Sequence, residues 1–487
     1  MELFPANFRV LGKDIFGFRV KKLGFWPLGW MIAVSTLILF VSSSLRHALF
    51  KSTACDLGIF DQAVYLISSG TPPVSSFSGF HILSDHAAWI FYPLALLYKI
   101  YPDVHWLLAV QAIALAIGAL PTWYLALQAG LTARQAVAIA AVYLLYPLVF
   151  NINLFDFHPE VMALPALLAA ILAARSSRTW WFCLSIIFVL GCRDALSLTV
   201  VAMGFWLLLF EKRRLCGAIA ITAGVAWLLI ATQVVIPYFG GEAASVGRHL
   251  PRYAYLGSSF PEIIKNLLLK PGLVLGKVFS LSTLEYLTLL LAPVIWGLSP
   301  QHLTPLVGAI PTLALNILAA DPLQRDLIHQ YSVPLLPFLL VAVISTLADG
   351  RGWLRGGRAI ILWSLVAFMA LAKVGYFWSI YLNSIDTWQA TRQAIALVQT
   401  KGGVLTTAEI APHLTHRPLV KLTNAKAPPA NLADFDYVLL NVRHPGWLSN
   451  QEFATSLVNR LKTAQEFLLS YQRDDVYLFA KKLKRPR

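Results

Sequence analysis

The chain has 487 residues, of which 57% are hydrophobic and only 13% are charged, and its formal net charge is +15. This composition is typical of a multispanning membrane protein and excludes an ordinary soluble domain. Much of the excess of Lys and Arg is explained by basic segments that face anionic lipid headgroups. For a chain so embedded in the membrane we predict no nucleic-acid partner.

Apolar stretches that are long enough for membrane helices follow one another along most of the chain. A bilayer core needs about 20 apolar residues per helix. Segment 1–25 is basic and shows no cleavage site, so we predict a cytoplasmic N-terminal segment followed by an uncleaved signal anchor. The predicted transmembrane domain, 26–381, contains eleven spans. They lie near residues 26–44, 104–127, 132–150, 161–174, 179–192, 195–210, 215–237, 283–298, 302–319, 331–347 and 359–381.

The Lys and Arg residues between the spans are concentrated in alternate loops. The short loops at 151–160 and 320–330 contain a single basic residue, Arg325, whereas the loops on the other side contain several Lys and Arg residues. The positive-inside rule therefore predicts a cytoplasmic N-terminus, and an odd number of spans places the C-terminus outside. We predict a multi-pass protein of the cell inner (plasma) membrane. The basic inner-loop residues are Arg134, Arg175, Arg178, Lys212, Arg213, Arg214, Arg351, Arg355 and Arg358.

The first outer loop, 45–103, carries two helical patterns. Apolar residues recur at helical spacing from Leu57 to Ile67, opposite a polar face, and the pattern ends at Gly70. A second pattern runs from Ile90 to Tyr101. Because both are too short or too polar for a confident span, we predict two helices that lie in the plane of the membrane interface.

From residue 382 the composition becomes polar enough for a small extracytoplasmic domain, 382–487. Strand-like and helix-like runs alternate in it, which predicts a small α/β domain. The predicted strands are 404–407, 437–440 and 476–479, and the predicted helices lie near 388–399 and 451–468. His413 and His416 are interpreted as residues of a solvated helix end.

Acid, imidazole and guanidinium groups collect on the predicted outer side of the bundle. This one-sided arrangement indicates a reaction centre at the membrane surface, whereas a transport path would leave charges near mid-depth. The candidate site residues are Asp56, Asp61, His86, Asp156, His158, Glu160, Arg193, Arg325 and His329.

Asp56 and Asp61 flank the start of the first interfacial helix. Asp56 is either the N-cap of that helix, since Asp accepts a free backbone N–H, or a general base. Asp61 follows five residues later and points about 140° away on a helix. The two carboxylates therefore do not form a dyad on one helical face.

The other candidate residues lie in short outer turns, and each turn has two interpretations. Segment 151–160 is either a solvated turn in which Pro159 opens the next helix, or a site for a cation or a phosphate-linked sugar. Its oxygen ligands would suit Mg²⁺ or Mn²⁺. The Arg193-Asp194 pair is either a structural ion pair or a clamp for phosphate. Segment 321–329 is either a salt-bridged turn or the rim of a substrate site.

Several of these motifs resemble the DUF2079 family of predicted multispanning membrane proteins of bacteria. The likeness covers about residues 45 to 440, and at the position of Arg193 that family often has Lys-Glu-Asp instead of Cys-Arg-Asp. The motifs that carry the likeness are CDLGIFDQA from Cys55 to Ala63, the segment from His86 to Pro102, FDFHPE from Phe155 to Glu160, and His329-Gln330-Tyr331.

More distantly, the plan is similar to that of the C-type glycosyltransferases, integral membrane enzymes that use sugars linked to polyprenyl phosphate. The resemblance implies an all-α polytopic membrane bundle with a small C-terminal α/β domain. Asp56 matches by position the acid that follows span one in those enzymes, although Leu57 replaces the usual second acid.

The resemblance also implies a function, namely transfer of a sugar from a polyprenyl-phosphate donor in the membrane to an extracytoplasmic acceptor. Asp56 would be the general base, and Asp61 or Glu160 would help to place the acceptor or a metal. Arg193, Arg325 or His158 would face the phosphate, where positive charge is needed as the leaving group forms.

Two alternatives remain at the level of the sequence. A transporter or lipid flippase would need polar residues deep within the spans, for which Gln111, Gln233 and Asn316 are the candidates. Such amides more often link neighbouring helices by hydrogen bonds. The other alternative is a non-catalytic membrane scaffold that presents the C-terminal domain.

Overall fold

The computed structural model describes residues 25–240, 246–428 and 431–482. The predicted cytoplasmic segment 1–25 therefore lies outside the described residues, except for Phe25. The membrane part is a bundle of helices, as predicted. Its helices are α1 Phe25–Ala48, α2 Ile59–Ser68, α3 Leu83–His86, α4 Phe91–Ile100, α5 His105–Ile117, α6 Ala119–Gln128, α7 Ala133–Leu144, α8 Pro147–Phe155, α9 Glu160–Arg175, α10 Thr179–Cys192, α11 Leu196–Leu209, α12 Arg214–Ile230, α13 Ile236–Gly240, α14 Phe260–Leu269, α15 Pro271–Val278, α16 Leu281–Leu291, α17 Ile310–Leu318, α18 Leu336–Ala348 and α19 Gly357–Leu371.

The described residues contain five helical segments that are long and apolar enough to cross a membrane, and up to seven if each bent helix pair is one span. Shorter apolar helices such as α10 and α11 accompany them. Segments Ala133–Phe155 and Gln330–Ala348 are each 83% buried and form the centre, whereas Trp26–Ala48 is only 17% buried and lies at the periphery. A helix occupies most of each predicted span, but the predicted count of eleven exceeds the number that meets this length criterion.

The predicted span 283–298 is shifted in the structure. Helices α15 and α16 occupy 271–291 with a bend of 48° between them, and residues 292–309 form turns and short 3-10 segments instead. Pro293, Pro300 and Pro305 explain the difference, because proline has no N–H to donate and its ring clashes with the preceding turn of a helix.

Helices α11 and α12 approach each other closely at glycines. A Cβ atom on Gly217 would lie 2.8 Å from the Gly204 carbonyl oxygen and 2.9 Å from the Leu208 Cβ atom. A Cβ atom on Gly204 would in turn lie 2.8 Å from the Gly217 carbonyl oxygen. Small residues at such crossings let membrane helices pack backbone to backbone, which is where much of their association energy arises.

In the first outer loop, helices α2 and α4 lie close to the positions predicted for the two interfacial helices. A π-helical turn, Ala54–Gly58, precedes α2 and carries Asp56. The N-cap position of α2 is Gly58, and no side chain caps it. The cap interpretation of Asp56 is therefore wrong, because the π turn places its carboxylate outside the first turn of α2.

The C-terminal part is a five-stranded mixed sheet with two helices, α20 Trp388–Ala396 and α21 Gln451–Thr463. In the strand order β2-β1-β3-β5-β4, β1 pairs in parallel with β2 and β3, and β5 pairs antiparallel with β3 and β4. The three predicted strands correspond to β1, β3 and β5, whereas β2 and β4 were not predicted. The strands are β1 Val404–Thr406, β2 Val420–Leu422, β3 Tyr437–Asn441, β4 Phe467–Arg473 and β5 Val476–Lys481.

The C-terminal domain docks on the first outer loop through hydrogen bonds at the β2 edge. The Ser76 hydroxyl donates to the Val420 carbonyl and accepts the Val420 N–H, each at 2.9 Å. The Gln62 amide donates to the Arg417 carbonyl at 2.9 Å. His413 is not solvated as predicted: its ring stacks on His47 at a centroid distance of 3.9 Å, and burial lowers its pKa to about 4.

The glycine contact between α11 and α12 predicts that Gly217→Ala destabilises the bundle by about 1–3 kcal/mol, because the added methyl group meets backbone atoms. Gly276→Ala is the matched control, since a Cβ atom there meets nothing within 4 Å; alanine should be neutral or stabilising in that helix. Unfolding of both variants by SDS in mixed micelles measures the difference. Equal midpoints for the two variants would contradict the close packing.

Candidate functional site

A cavity of about 220 Å³ lies at the end of the bundle that carries the first outer loop. Six separate chain segments meet there: the turn before α2, helix α3, the α8–α9 turn, the α10–α11 turn, the segment around residue 252 and the segment around residue 330. The polar residues of its wall are Asp56, Asp85, His86, His158, Glu160, Arg193, Arg252, Gln330 and Tyr331. The cavity therefore concentrates charged groups from distant parts of the sequence at one bundle end.

Asp56 forms an ion pair with His158, whose Nε2 atom lies 3.3 Å from Asp56 Oδ1. The Thr53 hydroxyl donates a hydrogen bond of 2.9 Å to the other carboxylate oxygen. Burial favours the neutral acid, but the hydrogen bonds and positive charge of His158, with Thr53 and Arg46, outweigh it and lower the pKa of Asp56. The side chain of Asp56 is 27% exposed, so this ionised carboxylate remains accessible from the cavity.

His158 is buried, yet its pKa is raised. Burial alone would lower the pKa, but the Asp56 carboxylate and nearby acids outweigh it. Its ring stacks on Phe155 at a centroid distance of 5.1 Å, and its backbone N–H donates to the Gln111 amide oxygen at 3.0 Å. His158 is therefore a fixed cation behind Asp56.

Arg193 is an ion-pair partner of Glu160. Its other terminal nitrogen lies 2.9 Å from His86 Nε2, while His86 Nδ1 lies 3.2 Å from Asp194 Oδ1. Burial raises the pKa of Asp194, but His86 and Arg193 outweigh it and lower the pKa below its ordinary value. The second oxygen of Glu160 and the Nε atom of Arg193 are buried and have no hydrogen-bond partner among the described residues. One buried acceptor and one buried donor beside the cavity therefore lack a partner among the described residues.

Arg252 enters the cavity from the 3-10 segment Val246–Tyr253. Its guanidinium donates to the Tyr331 hydroxyl at 3.2 Å and lies 5.4 Å from the centre of that ring. Among the described residues it forms no ion pair with an acid, in contrast to Arg193. Sequence reasoning missed this residue; the available signal was a basic residue in a predicted outer loop, where the positive-inside rule disfavours it.

The α8–α9 turn that presents His158 and Glu160 is held from inside the bundle. Asp156 is fully buried, is paired with Arg46 and accepts the Thr53 N–H at 2.8 Å. The Gln111 amide donates to the Asp156 carbonyl at 2.9 Å. Sequence reasoning also missed Arg46, because the predicted first span ends at residue 44 and leaves Arg46 outside it. The available signal was its closeness to the span, since a charge near a membrane span often has a function.

The structure brings together five of the predicted site residues on this wall: Asp56, His86, His158, Glu160 and Arg193. The remaining four predicted residues do not line the cavity. Asp156 is buried and forms an ion pair with Arg46. Arg325 caps helix α17 by donating to carbonyls at its C-terminal end, including Ile317 at 3.1 Å. His329 pairs with Asp326 at 2.6 Å.

Asp61 faces the C-terminal domain rather than the cavity. It is 1% exposed and accepts hydrogen bonds from Tyr98 and Thr415, and His416 Nε2 lies 3.2 Å from its carboxylate. The predicted divergence of Asp56 and Asp61 thus agrees with the geometry. His416 is only partly solvated: Tyr65 stacks on its ring at 4.9 Å, and its side chain is 23% exposed.

Two of the three amide residues predicted within the spans form hydrogen bonds to neighbouring segments. The acids predicted as metal ligands form ion pairs. Gln111 holds the α8–α9 turn, and Asn316 donates to the Tyr286 hydroxyl at 2.9 Å, so both act as links between segments. Within residues 25–240, 246–428 and 431–482, no group of three or more His, Cys, Asp or Glu side chains has the arrangement of a metal site. The cavity acids Asp56 and Glu160 are instead paired with cationic side chains.

The Asp56–His158 pair predicts a pH-dependent stability that His158→Gln removes. Because the pKa of His158 is raised in the folded protein, its stabilisation is complete below about pH 6.5 and is lost as the pH rises through the raised value. The destabilisation caused by His158→Gln should therefore be larger at about pH 5.5 than at about pH 8.5. Thermal unfolding of the purified protein at both pH values measures it.

The control is His302→Gln, which removes a histidine that pairs at 3.1 Å with the half-exposed acid Asp349. Such a surface pair contributes little, so this variant should follow the wild-type pH dependence. An effect of His158→Gln that is constant or grows with rising pH would contradict the assignment of His158 as a cation.

Two solved structures of ArnT from Cupriavidus metallidurans are similar to this chain. The one bound to undecaprenyl phosphate has a TM-score of 0.54 at 13% sequence identity, and the match covers 93% of this chain and 98% of that chain. The apo structure has a TM-score of 0.55 at 11% identity, with coverage of 94% and 98%. At these identities the likeness shows the fold alone. It confirms the predicted fold class, an all-α polytopic bundle with a small C-terminal α/β domain.

A weaker likeness is to the archaeal oligosaccharyltransferase AglB from Archaeoglobus fulgidus, in complex with an inhibitory peptide and a dolichol-phosphate. It has a TM-score of 0.44 at 10% identity and covers 87% of this chain and 70% of that chain, so it supports no inference. No curated protein sequence matches the chain.

The family model described as "Predicted membrane protein (DUF2079)" matches residues 46–478. This range contains every segment that lines the cavity and nearly all of the C-terminal sheet. The family resemblance of the sequence motifs is therefore confirmed over most of the chain, and the protein is a membrane protein that belongs to the DUF2079 family.

Proposed function

We propose that this protein is an integral membrane glycosyltransferase that moves a sugar from a polyprenyl-phosphate donor to an acceptor outside the cytoplasm. The observation that carries the proposal is the presence of a candidate base and a candidate phosphate-binding cation on the wall of one cavity. Asp56 supplies an accessible carboxylate, and Arg252 supplies a guanidinium with no acidic partner among the described residues. The fold shared with ArnT, whose structure binds undecaprenyl phosphate, supports a lipid-linked donor.

Arg252 and Tyr331 form the proposed phosphate contact. A guanidinium presents a planar set of donors that matches phosphate oxygens, and the Tyr331 hydroxyl already fixes its orientation at 3.2 Å. Arg193 adds a second positive charge to the wall, although Glu160 offsets it. Negative charge develops on the phosphate as the sugar leaves, so these cations stabilise the transition state more than the ground state.

Asp56 is the proposed base for the acceptor. The acceptor oxygen attacks the anomeric carbon, the bond from that carbon to the phosphate oxygen breaks, and its electron pair stays on the polyprenyl phosphate. The hydroxyl proton passes to the Asp56 carboxylate. His158 lies behind Asp56 at 3.3 Å and holds it ionised and oriented, which makes His158 a positioning residue in the proposal.

The proposed topology is N-terminus inside and C-terminus outside, in the cell inner membrane. The cavity and the C-terminal domain both contact the first outer loop, so they share one side of the bundle. The opposite bundle end carries basic inner-loop residues, including Arg175, which is bound to Glu211 at 2.7 Å, and Arg213, which donates to the Ser177 hydroxyl at 2.9 Å. The positive-inside rule assigns that end to the cytoplasm.

Loss of Asp56 should abolish most of the transfer activity. Asp56→Asn preserves the shape and the hydrogen bond from Thr53, but it cannot take a proton. The rate should fall by about 10²–10⁴-fold, which is the usual contribution of a general base. The assay supplies purified protein with undecaprenyl-phosphate sugars and a panel of acceptors, and it follows the glycosylated product.

Asp103→Asn is the control, because Asp103 is a partly exposed acid of the same loop and pairs with His105 at 2.6 Å. It should retain wild-type turnover. The base assignment fails if the wild type turns over and Asp56→Asn keeps more than about a tenth of its rate.

A further inference from the structure

A second cavity, of about 180 Å³, lies on the other side of the α8–α9 turn from the first. Its wall is formed by the end of α1, the last turn of α8 and the 3-10 segment Lys373–Trp378 with the residues that follow. Phe155 separates the cavities, since it lines the second cavity and stacks on His158, which lines the first. The second cavity is therefore distinct from the proposed transfer site.

The wall of the second cavity carries three cations and two tyrosines but no carboxylate. Arg46 is neutralised by Asp156. Lys51 donates to the Ser384 hydroxyl at 2.6 Å and lies 3.5 Å from Glu409. Lys373 forms no ion pair with an acid among the described residues, and its ammonium lies 6.0 Å from the centre of the Tyr376 ring. The net charge of this wall favours an anion.

Lys373 is held at a defined place by its backbone. Its N–H donates to the Asn151 amide oxygen at 2.8 Å, and the Asn151 amide nitrogen donates to the Leu371 carbonyl at 3.2 Å. Asn151 thereby satisfies the backbone groups that are freed where α19 ends. The backbone from which the Lys373 side chain reaches the cavity is consequently fixed by the bundle.

The surface that leads to Lys373 is apolar and exposed. Leu362, Val366 and Met369 are among the most exposed residues of α19, and their spacing places them on one helical face that ends below Lys373. Trp378 and Ile380, which follow Lys373, are exposed as well. Aromatic and apolar residues next to a basic residue at the end of a span are typical of the membrane–water interface.

We propose that the second cavity binds the phosphate of an anionic phospholipid, with Lys373 as the principal contact and the exposed face of α19 as the surface for the acyl chains. The cavity is large enough for a headgroup phosphate, and the helix face supplies the apolar surface that a free phosphate ion does not need. A basic residue near the membrane surface strengthens the binding of anionic lipids.

Native mass spectrometry of the full-length protein in mild detergent tests the proposal with phosphatidylglycerol and phosphatidylcholine as probes. Phosphatidylglycerol should bind more tightly than phosphatidylcholine, and Lys373→Gln should weaken it roughly fivefold to tenfold. Lys99→Gln is the matched control, because Lys99 is exposed at the end of α4 and lines neither cavity. It should bind phosphatidylglycerol like the wild type, as should Lys373→Arg, which keeps the charge.

Competition identifies the source of the phosphate. Neither inorganic phosphate nor undecaprenyl phosphate should displace phosphatidylglycerol, because the first lacks acyl chains and the second is assigned to the other cavity. Displacement by either compound, equal binding of the two phospholipids, or unchanged binding in Lys373→Gln would overturn the proposal. These measurements need no transferase activity, and only the competition with undecaprenyl phosphate rests on the proposed function.

Discussion

The buried ion pair between Arg46 and Asp156 is the interaction on which the two cavities depend. Asp156 has a backbone φ of 111°, a conformation that L-residues rarely adopt and that costs about 1–3 kcal/mol unless the surroundings enforce it. The Arg46 guanidinium, the Thr53 N–H and the Gln111 amide enforce it together. Helix α1, the start of the first outer loop and helix α5 are thereby joined at one point.

The direction of the neighbouring side chains follows from this turn. Beyond Asp156 the chain turns His158 and Glu160 toward the first cavity, while Phe155 lines the second. Removing one partner of a buried ion pair typically costs about 3–5 kcal/mol, because the other charge is left without compensation. Loss of Arg46 would therefore displace the groups around Asp56 indirectly, by releasing the turn that contains Asp156. Arg46 is thus a positioning residue for the site.

The sequence predicts which residues share a bundle end better than it predicts where each side chain points. Asp56, His86, His158, Glu160 and Arg193 meet because all of them lie in or beside the connections at one end of alternating membrane helices, which is a property of hydropathy and charge. Orientation depends on local geometry that hydropathy does not encode. Arg325 and Asp61 share that side, yet Arg325 caps a helix and Asp61 binds the C-terminal domain.

The same limit explains the other differences. Strand β2 has three residues and β4 is largely exposed, so neither shows the apolar pattern of β3 and β5. The polar sequence around His413 predicts a solvated side chain, but tertiary packing places its ring against those of His47 and Phe50. Arg252 belongs to no recognisable motif, and only the fold places it beside Tyr331 across from the residues of the first outer loop.

The central claim is that the first cavity holds the phosphate of a polyprenyl lipid on Arg252. Its most direct measurement is the affinity of undecaprenyl phosphate for the wild type, for Arg252→Gln and for Lys265→Gln, which changes an exposed cation of the nearby helix α14. The account predicts that Arg252→Gln binds the lipid roughly tenfold to a hundredfold more weakly, since a charged hydrogen bond contributes about 1.5–3 kcal/mol, and that Lys265→Gln binds it like the wild type. Equal affinity of the wild type and Arg252→Gln would contradict the account.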